Sequence, residues 1–146
     1  MSHGRLVRIL LVEDSPEDVL LTREALKDAT IDHELHVAGD GREAMAFLRR
    51  EPPHEDAPRP DLVLMDLNLP GMDGRQVLAA IKTDPRLQLI PVVVLTTSVS
   101  ESDLLNAYEN SANAYVRKPV NLDRFIEVVR QIDNFWLDVA TLPPQR

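Results

Sequence analysis

The chain contains no cysteine. That excludes a disulfide framework, a thiol nucleophile and a Cys-ligated zinc. Basic residues are in the minority: Lys plus Arg number 16 against 24 for Asp plus Glu, a net charge of −8. Such a surface disfavours non-specific association with nucleic acid or an anionic membrane. No run of about 18 apolar residues occurs, so no segment is expected to span a bilayer. The opening Met1-Ser2-His3-Gly4-Arg5 leads into a short apolar segment and not into a signal peptide, and the cytoplasm is the expected compartment. Internal repeats and low-complexity stretches are also missing. What is there is 146 residues, 44% hydrophobic and 27% charged, an ordinary composition for one globular domain.

Along that domain, short apolar runs alternate with helical patterns. Leu6 to Val12 (LVRILLV) is a near-continuous apolar run of strand length, as expected for a strand buried on both faces of a parallel sheet. Ser15 offers an N-cap, Pro16 suits the first helical position and Asp18 the first turn, so a helix is predicted to about Ala29. Glu34 to Ala38 reads as a second strand, and Asp40-Gly41 opens a second helix with Ala44, Met45, Phe47 and Leu48 on its apolar stripe. The four prolines between Pro52 and Pro60 make that stretch a loop. Leu62 to Met65 is a third strand, Pro70 to Gly74 a turn, and a helix follows to about Thr83. Pro91 to Leu95 is a fourth strand, Glu101 to Asn110 a short helix, and Ala114 to Arg117 a fifth strand stopped by Lys118-Pro119. Asn121 caps a last helix predicted to run to about Asp138. The fold class is α/β: a doubly wound, five-stranded parallel sheet with helices on both faces.

In such sheets ligands bind beyond the carboxyl ends of the strands, at a topological switch point. Strand one ends in Glu13-Asp14, strand three in Asp66, strand four in Thr96-Thr97-Ser98 and strand five in Lys118. With a strand order of 2-1-3-4-5, all four ends meet on one rim. Three carboxylates there repel one another, and a hard divalent cation with room for water, Mg²⁺, relieves that. A carboxylate placed between a metal and a lysine can attack phosphorus, and the cationic groups stabilise charge on the transferring oxygens. Asp66 is therefore the predicted acceptor of a phosphoryl group, with Thr96 and Lys118 serving its oxygens.

LLVEDSPED, LVLMDLNLPGMDG, VVVLTTS and YVRKP together resemble the signatures of response-regulator receiver domains of two-component signalling. They occur in the family's order and at its spacing, over about Arg5 to Asp138, leaving 139–146 as a C-terminal tail. The resemblance implies a flavodoxin-like sandwich of order 2-1-3-4-5. It implies that Asp66 is phosphorylated, that Glu13, Asp14, Asp66 and the Asn68 carbonyl hold Mg²⁺, and that Thr96 and Lys118 sense the phosphoryl group. Tyr115 resembles the aromatic switch residue, and Asn68, Thr97 and Ser98 occupy positions that tune phosphoryl lifetime. Thr97 departs from the family's usual very small residue, and its β-branch is expected to narrow the approach to Asp66. The ending FWLDVATLPP, with the TTS after strand four, is similar to stand-alone regulators of bacterial phytochrome histidine kinases. The implied partner is therefore such a kinase, with output through protein contacts or phosphorelay and not through turnover as a conventional enzyme.

The last helix carries two apolar stripes, Leu122, Ile126, Val129, Trp136 and Phe125, Val128, Ile132, Phe135, Val139. Together they cover roughly 200° of its surface, more than packing on one sheet needs. The second stripe has the 3-4 spacing of a short coiled-coil seam, so this helix, together with strand five, is the expected face of a homodimer; the alternative is that the C-terminal segment folds back and covers the stripe itself. The remaining polar and large side chains are bland. His3, His33, His36 and His54 lack metal-ligand spacing. Met45, Met65 and Met72 fit packing, and Trp136 fits a packing anchor. A flavin-binding protein could share this sheet but would need an anion-binding loop after strand one, where this chain has the acidic Glu13 to Asp18 segment. An aspartyl-phosphate phosphatase would need Asp two positions after the nucleophile, where this chain has Asn68. A receiver used only as a scaffold would not need the full set of Glu13, Asp14, Asp66, Thr96 and Lys118.

Overall fold

The computed structural model describes residues 6–27, 32–97, 100–119, 121–139 and 142–143. Five strands, β1 (Val7–Val12), β2 (His33–Ala38), β3 (Leu62–Met65), β4 (Val92–Thr96) and β5 (Ala114–Arg117), form one parallel sheet in the order β2-β1-β3-β4-β5. Five helices join and follow them: α1 (Pro16–Leu26), α2 (Gly41–Arg49), α3 (Gly74–Thr83), α4 (Glu101–Glu109) and α5 (Leu122–Asp133). The register pairs Leu11 with both Val37 and Leu64, Met65 with Val94, and Thr96 with Arg117, so β1, β3, β4 and β5 end on the same rim.

Strand alternation explains the layers. Leu10, Val12, Val63, Met65, Val92 and Val94 point to one face, where α2 and α3 cover them. Ile9, Leu11, Leu62, Leu64, Val93 and Leu95 point to the other, against Ala25 and Leu26 of α1 and Phe125, Val129 and Ile132 of α5. Both faces of β3 and β4 are buried throughout, which is why those segments carry no polar alternation.

The helix starts follow the predicted caps. Ser15 Oγ accepts from the Asp18 N–H at 3.2 Å, Asp40 from Glu43 at 2.8 Å and Asn121 from Arg124 at 3.0 Å. Asp73 and Gln76 form a full capping box at the start of α3. Helix α1 ends at Leu26 with Lys27 as its cap, short of the expected Ala29, which lies outside the described residues. Strand β4 starts one residue after Pro91, which has no N–H to give the ladder.

The end of the chain corrects one expectation. Phe125 and Ile132, placed by their spacing on an outward dimer seam, lie in the core with only 3% and 8% of their surface exposed. Val128, Ile126 and Trp136 are partly buried against the same cluster. The wide apolar arc has an internal cause: α5 meets the sheet on one side and α1 on the other, so the chain itself covers Phe125, Val129 and Ile132 and partly covers Ile126, Val128 and Trp136. Beyond Asp133 the helix loosens into a π-helical stretch, Asn134–Val139, which breaks the 3-4 spacing. Phe135 is half exposed, with its ring edge-on to Trp136 at 5.4 Å between centroids. The side chains of Leu122 and Val139 lie outside the described residues.

Candidate functional site

The predicted strand-end residues converge. Asp66 follows β3 directly, and its N–H donates to the Val12 carbonyl at 3.1 Å, which ties it to the end of β1. Lys118 follows β5, and its N–H donates to the Thr96 carbonyl at 2.7 Å, which ties it to β4. Glu13, Asp66, Thr96 and Lys118 are all buried, an expensive arrangement for charged groups unless they satisfy one another.

They do so around Asp66. Its Oδ1 accepts from the Thr96 hydroxyl at 2.7 Å and from the Asn68 N–H at 3.0 Å. Its Oδ2 accepts from the Lys118 ammonium at 2.8 Å. The same ammonium donates to Glu13 at 2.5 Å and to Asp18 at 2.8 Å. The Ser15 N–H donates to the other Glu13 oxygen at 3.2 Å. Burial pulls the Lys118 pKa down, but the hydrogen bonds from Asp18, Asp66 and Glu13 outweigh it and hold the pKa above the ordinary lysine value. Burial pushes Glu13 up; Lys118 pulls it back, and the Asp66 charge adds to the rise. Four carboxylates thus face one ammonium, counting the exposed Asp14 beside them.

Glu13, Asp14 and Asp66 each present an oxygen within 4.8 Å of the others. An all-oxygen set with one exposed member fits a hard divalent cation that keeps part of its water, so Mg²⁺ suits these donors. Asn68 is exposed, and its amide nitrogen lies 3.5 Å from Thr96 Oγ1. Thr97 is exposed at the rim, while Ser98 lies outside the described residues. Tyr115 is partly buried on β5 and packs against the core cluster below the site.

Two features of this region were not read from the sequence. Asp18 reads locally as a first-turn charge of α1, yet its carboxylate reaches Lys118 across 100 positions. Its place on the first turn after an acidic strand end was the available signal. Arg75 grips both oxygens of Asp103 at 2.7 and 2.6 Å, joining the start of α3 to α4 beside the site. Residues 28 positions apart on different helices leave no local pattern. The backbone under Asp66 is equally specific. The Gly74 N–H donates to the Leu67 carbonyl at 2.9 Å, and a Cβ on Gly74 would stand 2.3 Å from the Asp66 carbonyl oxygen.

A buried carboxylate, held on both oxygens beside a hydroxyl, an ammonium and a cation-binding acidic pair, is the site of a phosphoryl acceptor on a doubly wound sheet. The chain belongs to the response regulator receiver domain family, whose model matches residues 9–130. It is a receiver domain of a response regulator and not a conventional enzyme. Among characterised proteins it is 53% identical over 135 residues to response regulator Rcp1 of Synechocystis sp., covering 92% of each chain. Its structure is similar to the Mn²⁺-bound form of response regulator Rcp1, with a TM-score of 0.92, 52% identity, and coverage of 94% of this chain and 99% of that one. It is also similar to the phosphorylated cyanobacterial phytochrome response regulator RcpA, with a TM-score of 0.93, 49% identity, and coverage of 96% and 100%.

Proposed function

We propose that this receiver takes its phosphoryl group from the phosphohistidine of a histidine kinase, and that the kinase is a bacterial phytochrome. The observation that carries the first part is the placement of Asp66 Oδ2 against Lys118 while Thr96 and Asn68 hold Oδ1. The description of the similar RcpA as a cyanobacterial phytochrome response regulator supports the second. An Asp66 carboxylate oxygen attacks phosphorus, a P–O bond forms, the P–N bond to the histidine breaks, and the leaving imidazole takes up a proton. A divalent cation held by Glu13, Asp14, Asp66 and the Asn68 carbonyl would neutralise charge on the transferring oxygens. Lys118 then serves one phosphoryl oxygen and Thr96 another, each giving up its bond to the Asp66 carboxylate. Water later attacks phosphorus and releases phosphate, so the regulator catalyses both its own phosphorylation and its dephosphorylation. Movement of Thr96 toward the phosphoryl group vacates space that Tyr115 can enter, shifting a pre-existing equilibrium toward the active form.

The domain is read as residues 5–138 with 139–146 as a tail, working in the cytoplasm. The homodimer retains support from half-exposed Phe135 at the end of α5, without Phe125 and Ile132. Light scattering on wild type and Phe135→Asp tests it; a monomeric wild type refutes the dimer. The phosphoryl chemistry is tested by intact mass after incubation with acetyl phosphate and Mg²⁺. One adduct, lost in Asp66→Asn and with chelator, is the expected result. An adduct that persists in Asp66→Asn refutes the assignment. Phosphotransfer from a phytochrome kinase, compared with an unrelated histidine kinase, tests the partner.

A further inference from the structure

A cavity of about 530 Å³ opens at the opposite end of the sheet from Asp66. It is lined by Leu48, Arg49 and Arg50 at the end of α2, Arg59 before β3, and Pro85, Arg86 and Leu87 before β4. These segments precede β3 and β4 or lie level with their starts, so the cavity is separated from the phosphoryl site by the length of the strands, roughly 15 Å. Its size is within the range of small-molecule sites, roughly 300–1,000 Å³.

Four arginines line this cavity in a chain whose net charge is −8. The favourable field at a helix C-terminus accounts for Arg49 and Arg50. It does not account for Arg59 and Arg86, which come from two other segments. Asp84 faces the group and accepts from the Arg86 backbone N–H at 2.8 Å, but the closest approaches of the Arg49 and Arg86 side chains to it, 3.9 and 3.6 Å from Nε, are longer than hydrogen bonds. Arg50 uses its Nε on the Ala57 carbonyl at 2.9 Å. The Arg59 Nη1 donates to the Arg86 carbonyl, which fixes the two loops as one wall. Among the described residues, the terminal nitrogens of Arg49, Arg50 and Arg86 have no protein partner within hydrogen-bond distance. Planar forks with open donors are suited to phosphate oxygens, two at a time.

We propose that this cavity binds a ligand bearing a chain of phosphates, of nucleotide size. The phosphate chain bridges Arg49, Arg50 and Arg86 across the cavity, and Leu48 and Leu87 offer apolar wall to whatever the chain carries. The site is independent of the acidic rim and needs no metal.

Calorimetric titration in chelator-containing, low-salt buffer tests it with three probes: ATP, tripolyphosphate and adenosine. ATP and tripolyphosphate are expected to bind one per chain and adenosine not at all. Arg86→Ala, an exposed position, and the pair Arg49→Ala with Arg86→Ala are expected to weaken binding, the pair by at least about tenfold. Acetyl phosphate labelling of Asp66 in the same variants serves as the folding control and should be unchanged. Binding retained in Asp66→Asn places the ligand away from the phosphoryl site. Tighter binding of ATP than of tripolyphosphate assigns the source to nucleotides, and equal binding assigns it to the phosphate chain alone. Absence of saturable binding at millimolar probe, equal affinity in the paired variant, or equal binding of adenosine overturns the proposal.

Discussion

Replacing Gly74 with alanine inserts one methyl group directly beneath Asp66. Its carbon would lie 2.3 Å from the Asp66 carbonyl oxygen and 2.6 Å from the Leu67 Cα. Ordinary contact begins near 3.4 Å, so the start of α3 or the backbone of Asp66 must give by about 1 Å. Both blocking atoms are main chain, and no rotamer change relieves them. Overpacking of this kind costs about 1–3 kcal/mol, and a rigid obstacle belongs at the upper end. Helix propensity returns up to about 1 kcal/mol, leaving a net loss of about 2 kcal/mol. For a domain of this size that lowers Tm by about 4–8 °C. A shift of about 1 Å at a reacting group also costs about a hundredfold in rate, so labelling by acetyl phosphate should slow well beyond what unfolding explains. Gly71→Ala is the matched control. Gly71 has φ +66 and no atom within 4 Å of an added Cβ, so only backbone strain of about 1 kcal/mol is expected, with labelling intact. Urea midpoints and mass-resolved labelling rates measure both effects. If Gly74→Ala labels at the wild-type rate and melts with wild type, the close approach does not position Asp66 and the reasoning is wrong.

Three further outcomes follow from separate parts of the molecule. Lys82 is held by the carbonyls of Gln88 and Ile90, and burial pushes its pKa down to about 8 from 10.5, so the unfolded chain keeps its proton longer; stability should rise between pH 8 and pH 10.5. Lys82→Met should flatten that part of the urea-midpoint profile, and identical profiles would refute the assignment. Arg75→Ala removes a two-pronged, partly exposed grip on Asp103 and should cost about 1 kcal/mol, a loss that shrinks in high salt. A salt-independent loss would point to packing instead. Thr97→Ala opens the rim beside Asp66 and should shorten the acyl-phosphate lifetime and speed acetyl phosphate labelling; unchanged kinetics would remove Thr97 from any gating role.

The sheet was legible because its central strands, β1, β3 and β4, are almost wholly buried. LVRILLV and PVVVL are near-continuous apolar runs that suit the interior of a parallel sheet, and Ser15, Asp40 and Asn121 mark where α1, α2 and α5 begin. The site was legible for the same reason, since a polar residue ending an apolar strand of known order has only one rim to occupy. What escaped depends on contacts between elements. The spacing of Phe125, Val128 and Ile132 is correct for an apolar face, but spacing does not say whether α1 or a second chain covers it. The looser winding after Asp133 leaves no residue signature such as a proline. Asp18 has two local duties to explain it, a first-turn charge and a contact with the Ser15 cap, so its long-range bond to Lys118 is hidden behind them.

The bonds around Asp66 bear on how reversible such a switch can be. At rest the carboxylate is already an acceptor for a hydroxyl, a backbone amide and an ammonium. A phosphoryl group brings acceptors of the same kind to the same donors. On the proposed chemistry, adding or removing it would trade one set of bonds for an equivalent set, leaving neither state with an orphaned buried donor. In such an exchange the bond energies largely cancel, and the balance between the states is set by small differences in geometry and charge. A single covalent group would then be enough to tip that balance, and its hydrolysis enough to restore it.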